Sequence, residues 1–342
     1  AFRSWEISQE HSFMIGESYG DMESSMVFRG PLTRENEGSL MFLTIPEGFD
    51  GSLFYFCPDH SSMVQEFTLS LDNHFADLNS TVSLEMIWVE PGTFTMGQSD
   101  VSFAAPVHEV TLTKGFYLGK HEVTQAQYKA VMTGNSDELS STPSGYGFNP
   151  EHPVQNVSWE DVQVFLARLN AQEAGNIPAG WAYVLPTEAQ WEYACRAGTT
   201  TAYSWGDTIS EFDANWNHGN DANQTEDVGQ YESNPWGFYD MHGNVWEWTA
   251  DAWGGYASGA QIDPLNIGTS GVNRTLRGGS WVDDGPSLRS AARGRGVTER
   301  FVYFGFRLAL KKIPLGQAGS THEADLNSSV ALEMIWVEPG TF

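Results

Sequence analysis

Cysteine is nearly missing from this 342-residue chain: Cys57 and Cys195 are the whole complement. A disulfide framework and a cysteine zinc site are thereby excluded, and one cross-link is the most that could form. Basic residues are scarce too. Seventeen Lys and Arg stand against 44 Asp and Glu, a formal charge of -27, so a nucleic-acid backbone or an anionic lipid surface repels most of the protein. No apolar run reaches the roughly 18 residues that cross a bilayer, so membrane insertion is not expected. No basic-then-apolar leader follows Ala1, and the missing initiator Met reads as a processed, exported chain.

What is present suits a well-buried, loop-rich globular protein. Hydrophobic residues make up 40%, aromatics 13%, and glycines number 35, far from a disordered or fibrous composition. The many carboxylates serve solubility or hold calcium, a cation that takes oxygen ligands. Between residues 25 and 70, apolar pieces at 39–45, 52–56 and 67–71 alternate with Gly, Pro and Asp, the pattern of short strands and tight turns. Residues 1–75 are therefore expected to form a small all-β domain, with no motif that carries chemistry.

Two helices are expected further on. Ser158 caps one, with Glu160 and Asp161 in its first turn and Val162, Phe165, Leu166 and Leu169 on one face. Thr187 caps another that carries Trp191 and Ala194. Both read as amphipathic helices on a core. Beyond Gly198 the abundance of Gly, Asn, Asp and Trp predicts ordered loop and short strand, which needs hydrogen bonds or bound cations to hold it.

The chain repeats itself. Residues 76–94 return as residues 324–342, differing only at Thr81/Ser329 and Ser83/Ala331, at an offset of 248 residues. That offset is about one domain. In the second copy Leu332, Met334 and Trp336 alternate with Glu333, Ile335 and Val337, the period of a strand.

Several blocks then occur in order: Met86–Gly97, Pro106–Val110, Lys120–Tyr128, Pro153–Trp159, Leu185–Tyr193, Gly237–Thr249, Arg277–Trp281 and Gly305–Arg307. Together they resemble the formylglycine-generating, or sulfatase-modifying factor, family. The resemblance implies an α+β, C-type-lectin-like fold over residues 76–315 with little regular secondary structure, followed by a linker and strand at 316–342. It also implies calcium, held by Asp240, Gly243, Val245 and Glu247, with Asn215 and Asp221 as candidates for a second site. The family's oxidases bind copper through two cysteines just after the Gly-Gly-Ser-aromatic block. Asp283 stands at the first of these positions and no cysteine follows Cys195, so copper is not expected and the chain reads as other than an enzyme. Cys195 reads as a buried free thiol.

Two binding roles are open at this point. The apolar stretch with Val282, Asp283, Asp284, Pro286, Phe301, Val302 and Tyr303 suggests an interface for an extracellular protein or glycan, as in retroelement-diversified relatives. The tail suggests self-association, with Leu332, Met334 and Trp336 donated to a neighbouring copy to build a filament or tandem array. A divergent metal-dependent oxidase is a third reading. The expected location is extracellular or on the cell surface.

Overall fold

The computed structural model describes residues 73–219, 224–268, 273–296 and 299–313 in full, together with the backbone of the strands before residue 68. The chain divides into two units, Ala1–Leu71 and Asp72–Phe342. In the first, six strands, β1 (Phe2–Arg3), β2 (His11–Gly16), β3 (Met26–Leu32), β4 (Leu40–Met41), β5 (Leu53–Cys57) and β6 (His60–Phe67), make antiparallel sheets in the orders β1-β4 and β3-β2-β5-β6.

The second unit runs β7 (His74–Asp77), β8 (Ser83–Val89), β9 (Gly92–Met96), β10 (His108–Leu112), β11 (Phe116–Gly119), α1 (Gln125–Met132), α2 (Trp159–Glu173), β12 (Trp181–Val184), α3 (Glu188–Arg196), β13 (Trp246–Ala252), β14 (Gln261–Ile262), β15 (Arg274–Arg277), β16 (Arg293–Gly296), β17 (Phe304–Gly305) and β18 (Ala309–Lys312). Three small sheets result, ordered β12-β18-β11-β8-β7, β14-β10-β9 and β16-β15-β13-β17. The first is antiparallel throughout. Parallel pairings join β10 to β14 and β13 to β17. Curled sheets with three helices among the described residues make this an α+β unit.

Each helix starts where a side chain satisfies the free amides of its first turn. Ser158 accepts from the Asp161 amide while Asp161 accepts in return from the Ser158 amide, a complete capping box. Val162, Phe165, Leu166 and Leu169 then face inward as the periodicity predicts. Phe165 stacks on Tyr128 of α1 and meets Phe306 edge-on. Helix α1 was not anticipated, although Thr124 and Gln127 form the same box. Its eight residues carry too short an apolar period to stand out.

Helix α3 departs from expectation in its surroundings. It is amphipathic as expected, but all nine of its residues are buried, so its polar face does not meet solvent. Its charged stripe is an internal layer. Glu192 takes Arg277 at 2.5 Å, Arg196 at 2.8 Å and the Gly97 amide at 2.8 Å. Glu188 takes Arg293 at 2.5 Å and Arg277 at 3.2 Å. The arginines supply what water would otherwise supply, which is why a polar face can turn inward. Cys195 lies in the same helix, buried and unpaired as expected, and burial pushes its thiol up to about 12.

The first copy of the repeat contains β8, which is hydrogen-bonded on both edges, to β7 and β11. Leu84 and Met86 enter one core beside Tyr128 and Phe306, while Val89 enters the other beside Trp191 and Phe238. A second copy could take this slot only by displacing β8.

Two substitutions test this account of α3. Thr187→Ala should lower unfolding free energy by about 1 kcal/mol through the lost cap, read from urea midpoints. Glu192→Ala should cost about 3 to 5 kcal/mol, because it leaves the buried Arg277 guanidinium without one of its two carboxylate partners.

Candidate functional site

The Gly237–Glu247 loop is made possible by residues that tolerate left-handed backbone. Asp240, Gly243 and Asn244 have φ of 56°, 105° and 62°, conformations favoured by Gly, Asn and Asp. At Gly243 any Cβ would meet the Asn215 carbonyl oxygen at 2.4 Å, so the glycine is obligatory. Asn244 is the hub. Its amide donates to the Asn215 carbonyl, its carbonyl accepts from the Trp281 amide, and its side-chain NH2 donates to Glu122 at 2.7 Å.

Behind this loop lies a buried acidic centre. Glu247 and Arg307, both without exposure, form a two-pronged pair at 2.7 Å per contact. The Trp191 indole donates to the same carboxylate at 2.7 Å. Glu122 accepts from the Val245 amide at 3.0 Å as well as from Asn244, and Asp240 accepts from the Gly229 amide at 2.7 Å. Three carboxylates thus share one guanidinium. Burial raises Glu122 well above the carboxylate range, with Asp240 and Glu247 adding to the effect. Burial likewise pushes Asp240 up to about 6.

Asp240 and Glu247 lie near enough to Glu122 to act on its charge, Val245 reaches Glu122 through its amide, Gly243 donates instead to the Gly278 carbonyl, and Asn215 joins Asn244 at 3.2 Å. Asp221 lies outside the described residues, as do Leu332, Met334 and Trp336. Glu122 was missed: its place is set by folding across 123 residues onto Val245, which no local spacing reveals. Among the described residues no three His, Cys, Asp or Glu side chains converge closely enough to hold a metal ion by themselves. Carbonyl oxygens would have to complete any cation site here.

The 282–304 segments split into two environments. Trp281 donates its indole N–H to the Val302 carbonyl at 3.3 Å and meets Tyr146 edge-on at 5.8 Å. Phe301 stacks on Tyr303 at 5.1 Å, and both rings stand edge-on to the buried Phe304. These rings form a shelf at the surface. Asp283 instead turns inward, accepting from the Trp246 indole at 2.8 Å and the Ser280 hydroxyl at 2.5 Å. Pro286 lies exposed in the short helical turn Gly285–Leu288, which Tyr203 holds by donating its hydroxyl to the Gly285 carbonyl at 2.8 Å. Asp284 caps that turn without a side-chain bond to its amides. Tyr146 was not anticipated, because its loop reaches Trp281 only in three dimensions.

Over residues 75–312 the sequence matches the sulfatase-modifying factor enzyme 1-like domain. The chain belongs to that family. It is 28% identical over 295 residues to the formylglycine-generating enzyme of Mus musculus, covering 67% of this chain and 76% of the mouse protein. It is 31% identical over 237 residues to the serine/threonine-protein kinase pkn1 of Chlamydia caviae, covering 62% of this chain and 35% of the kinase, so it spans about a third of that relative. The solved structure of PvdO from Pseudomonas aeruginosa superposes with a TM-score of 0.59 at 27% identity, covering 66% of this chain and 94% of PvdO. The expectation that the chain is other than an enzyme is corrected by these relatives. The family includes enzymes, the formylglycine-generating enzyme of Mus musculus among them.

A pH measurement checks the electrostatics of the buried acids away from the loop. Asp251 accepts the Glu188 amide at 2.7 Å and the Asn266 amide at 2.9 Å, and burial with the nearby Glu188 charge pushes it up to about 7. Its folded-state value lies above its unfolded one, so its cost to stability is absent below about pH 4, grows between about 4 and 7, and is complete above. His121 and His242, held near 4 by burial, pull the opposite way between about 4 and 6.5. The expected result is therefore read as a difference: from pH 5 to 8 the wild type should lose on the order of 3 kcal/mol relative to Asp251→Asn, measured by urea unfolding at each pH.

Proposed function

We propose that the domain recognises a polypeptide ligand outside the cell through the aromatic shelf of Tyr146, Trp281, Phe301, Val302 and Tyr303. The observation that carries this reading is the combination of exposure and rigidity. Tyr146 and Phe301 expose 49% and 40% of their surface, yet the shelf is anchored by the Trp281 bond to Val302 and by Phe304 packed on Trp248 at 5.2 Å. Val302 sits so close over Gly145 that a Cβ there would meet it at 2.6 Å. Rigid, exposed aromatics give contact area at small entropic cost. The mouse relative is by name an enzyme that generates a modified amino acid, which agrees with a polypeptide rather than a glycan on this face.

Asp283 belongs to the frame of the shelf. Its carboxylate orients Trp246 and Ser280 where the resemblance places a copper-binding cysteine, so thiolate-held copper has no ligands in this stretch. Calcium has better support. The donor set would be the half-buried Asp240 carboxylate, the Glu247 carboxylate shared with Arg307, and the carbonyls of Gly243 and Val245 in a loop with little regular structure. A calcium ion there would hold the loop and, through Asn244, the base of Trp281.

The second reading concerns the tail. The repeated residues 324–342 carry the side chains that fill β8, so a copy donated to the β8 slot of another chain would link copies into a filament. We also take residues 1–75, with their six strands, as a separate small β domain.

Three measurements test these readings. Polypeptides selected on the wild-type domain from a display library should bind the Phe301→Ala, Tyr303→Ala double variant at least tenfold more weakly, as expected when ring contacts worth about 2 kcal/mol are lost; equal binding refutes the shelf. A chain cut after residue 323 should be monomeric by light scattering where the full chain assembles. Its melting temperature should fall in chelator, since a ligand at a hundredfold excess over Kd contributes about 2.7 kcal/mol. Assembly that survives the cut removes the strand-donation reading, and an unchanged melt removes calcium.

A further inference from the structure

Strand β16 is a sheet edge. Its sequence is Arg-Gly-Arg-Gly, it pairs with β15 on one side, and no described residue bonds to its backbone on the other. The two glycines fix which way it faces. A Cβ on Gly294 would meet the Trp246 ring at 3.0 Å, and one on Gly296 would meet the Trp248 ring at 2.5 Å, so that side of the strand lies close on the core. Side chains alternate along a strand, and Arg293 and Arg295 therefore share the outer face.

The two arginines are used differently. Arg293 takes both oxygens of Glu188 and donates to the carbonyls of Phe103 and Gly254 at 2.8 and 2.9 Å. Those last two bonds fasten the loops that carry Phe103 and Trp253. Arg295 is exposed and lies over the Trp253 ring at 5.7 Å. Every other described arginine bonds a carboxylate or a carbonyl, whereas the Arg295 guanidinium has neither among the described residues. A charge that served only to keep an edge from pairing would stand in water. This one is laid against an indole.

Beside it stands a ring that packs little. Phe103 meets Trp253 edge-on at 5.5 Å, leaves 67% of its surface exposed and has a φ of 64°, a left-handed backbone that bulky residues rarely adopt. Such strain persists where the surroundings impose it, and it clusters at binding sites. Here Arg293 imposes it from one side, and the Gln98 amide, donating to the Ala104 carbonyl at 3.0 Å, closes the loop from the other.

Edge, cation and rings together select one occupant. An open edge offers N–H and C=O groups that another extended backbone matches along its length. A free guanidinium wants a carboxylate, which it can take by two parallel bonds. Rings already fixed in place take an apolar side chain at small ordering cost. We propose that the open edge of β16 takes an extended, acidic polypeptide segment as an added strand, with a carboxylate on Arg295 and an apolar side chain on Phe103 and Trp253. The patch shares no residue with the aromatic shelf, the calcium loop or the tail, so it stands or falls independently of them.

The test uses the full chain and the peptide acetyl-Glu-Thr-Phe-Thr-Glu-amide, fluorescently labelled, whose Glu and Phe side chains share one face of a strand; anisotropy is the readout. Saturable binding is expected, and Gln in place of both Glu should weaken it about tenfold, as a charge-assisted pair becomes neutral. Arg295→Gln should weaken the Glu peptide about tenfold and leave the Gln peptide little changed, the signature of one direct pair. Phe103→Gly should weaken both peptides while the melting temperature holds or rises, because its backbone suits glycine. N-methylation of alternate peptide amides should abolish binding in one register and spare it in the other, since only one set of amides faces β16. The Phe301→Ala, Tyr303→Ala double variant should bind the peptide unchanged; a loss there assigns the peptide to the shelf and overturns the proposal. No saturable binding, equal affinity for the Glu and Gln peptides, an undiminished affinity in Arg295→Gln, or equal effects of the two methylation registers also overturns it, as does tighter binding of tetragalacturonate, an acidic sugar with no strand to pair.

Discussion

The Glu247 carboxylate and the Arg307 guanidinium, both wholly out of water, meet at 2.7 Å on each prong, and the loop-rich unit is built around that contact. Glu247 sits early in β13, and Arg307 follows β17, so the pair locks two neighbouring strands at the level of their chain ends. Arg307 also donates to the carbonyls of Gly119 and Tyr239, and Glu247 accepts the indole of Trp191. One ion pair thereby fixes β11, α3, β13 and the Gly237–Glu247 loop. Its strength lies in the alternative. Removing either partner strands a charge where water cannot reach it, at a cost of several kcal/mol.

The same logic runs through the interior. Arg277 and Arg293 serve Glu188 and Glu192, while Arg300, exposed at the surface, reaches down to the buried Asp161. Several of the chain's few cations are thus used inside, which leaves the acidic surplus to the surface and to the centre of Glu122, Asp240 and Glu247.

Asp283, beside the Gly-Gly-Ser-Trp block, accepts from Trp246 and Ser280 through its carboxylate. The fold tolerates this because the surrounding bonds, from Asn244 to Trp281 and from Trp281 to Val302, are made by backbone and indole groups independent of the residue at 283.

Local signals were legible wherever the physics is local. Ser158 and Thr187 announce their helices because a cap acts within three residues, and the strand period of the repeat survives in β8. The family and its fold were legible as well, because eight ordered blocks map onto one arrangement of strands and loops. Tertiary structure alone decided the rest. The charged stripe of α3 looks like a solvated face until Arg277 and Arg293 arrive from strands about 85 to 105 residues away. Glu122 and Tyr146 joined their sites across similarly long separations, and Asp283, adjacent to shelf residues in sequence, turned inward to Trp246 and Ser280. Burial and long-range pairing are properties of the packed chain: whether a carboxylate meets water or a guanidinium depends on residues that sequence spacing does not bring together.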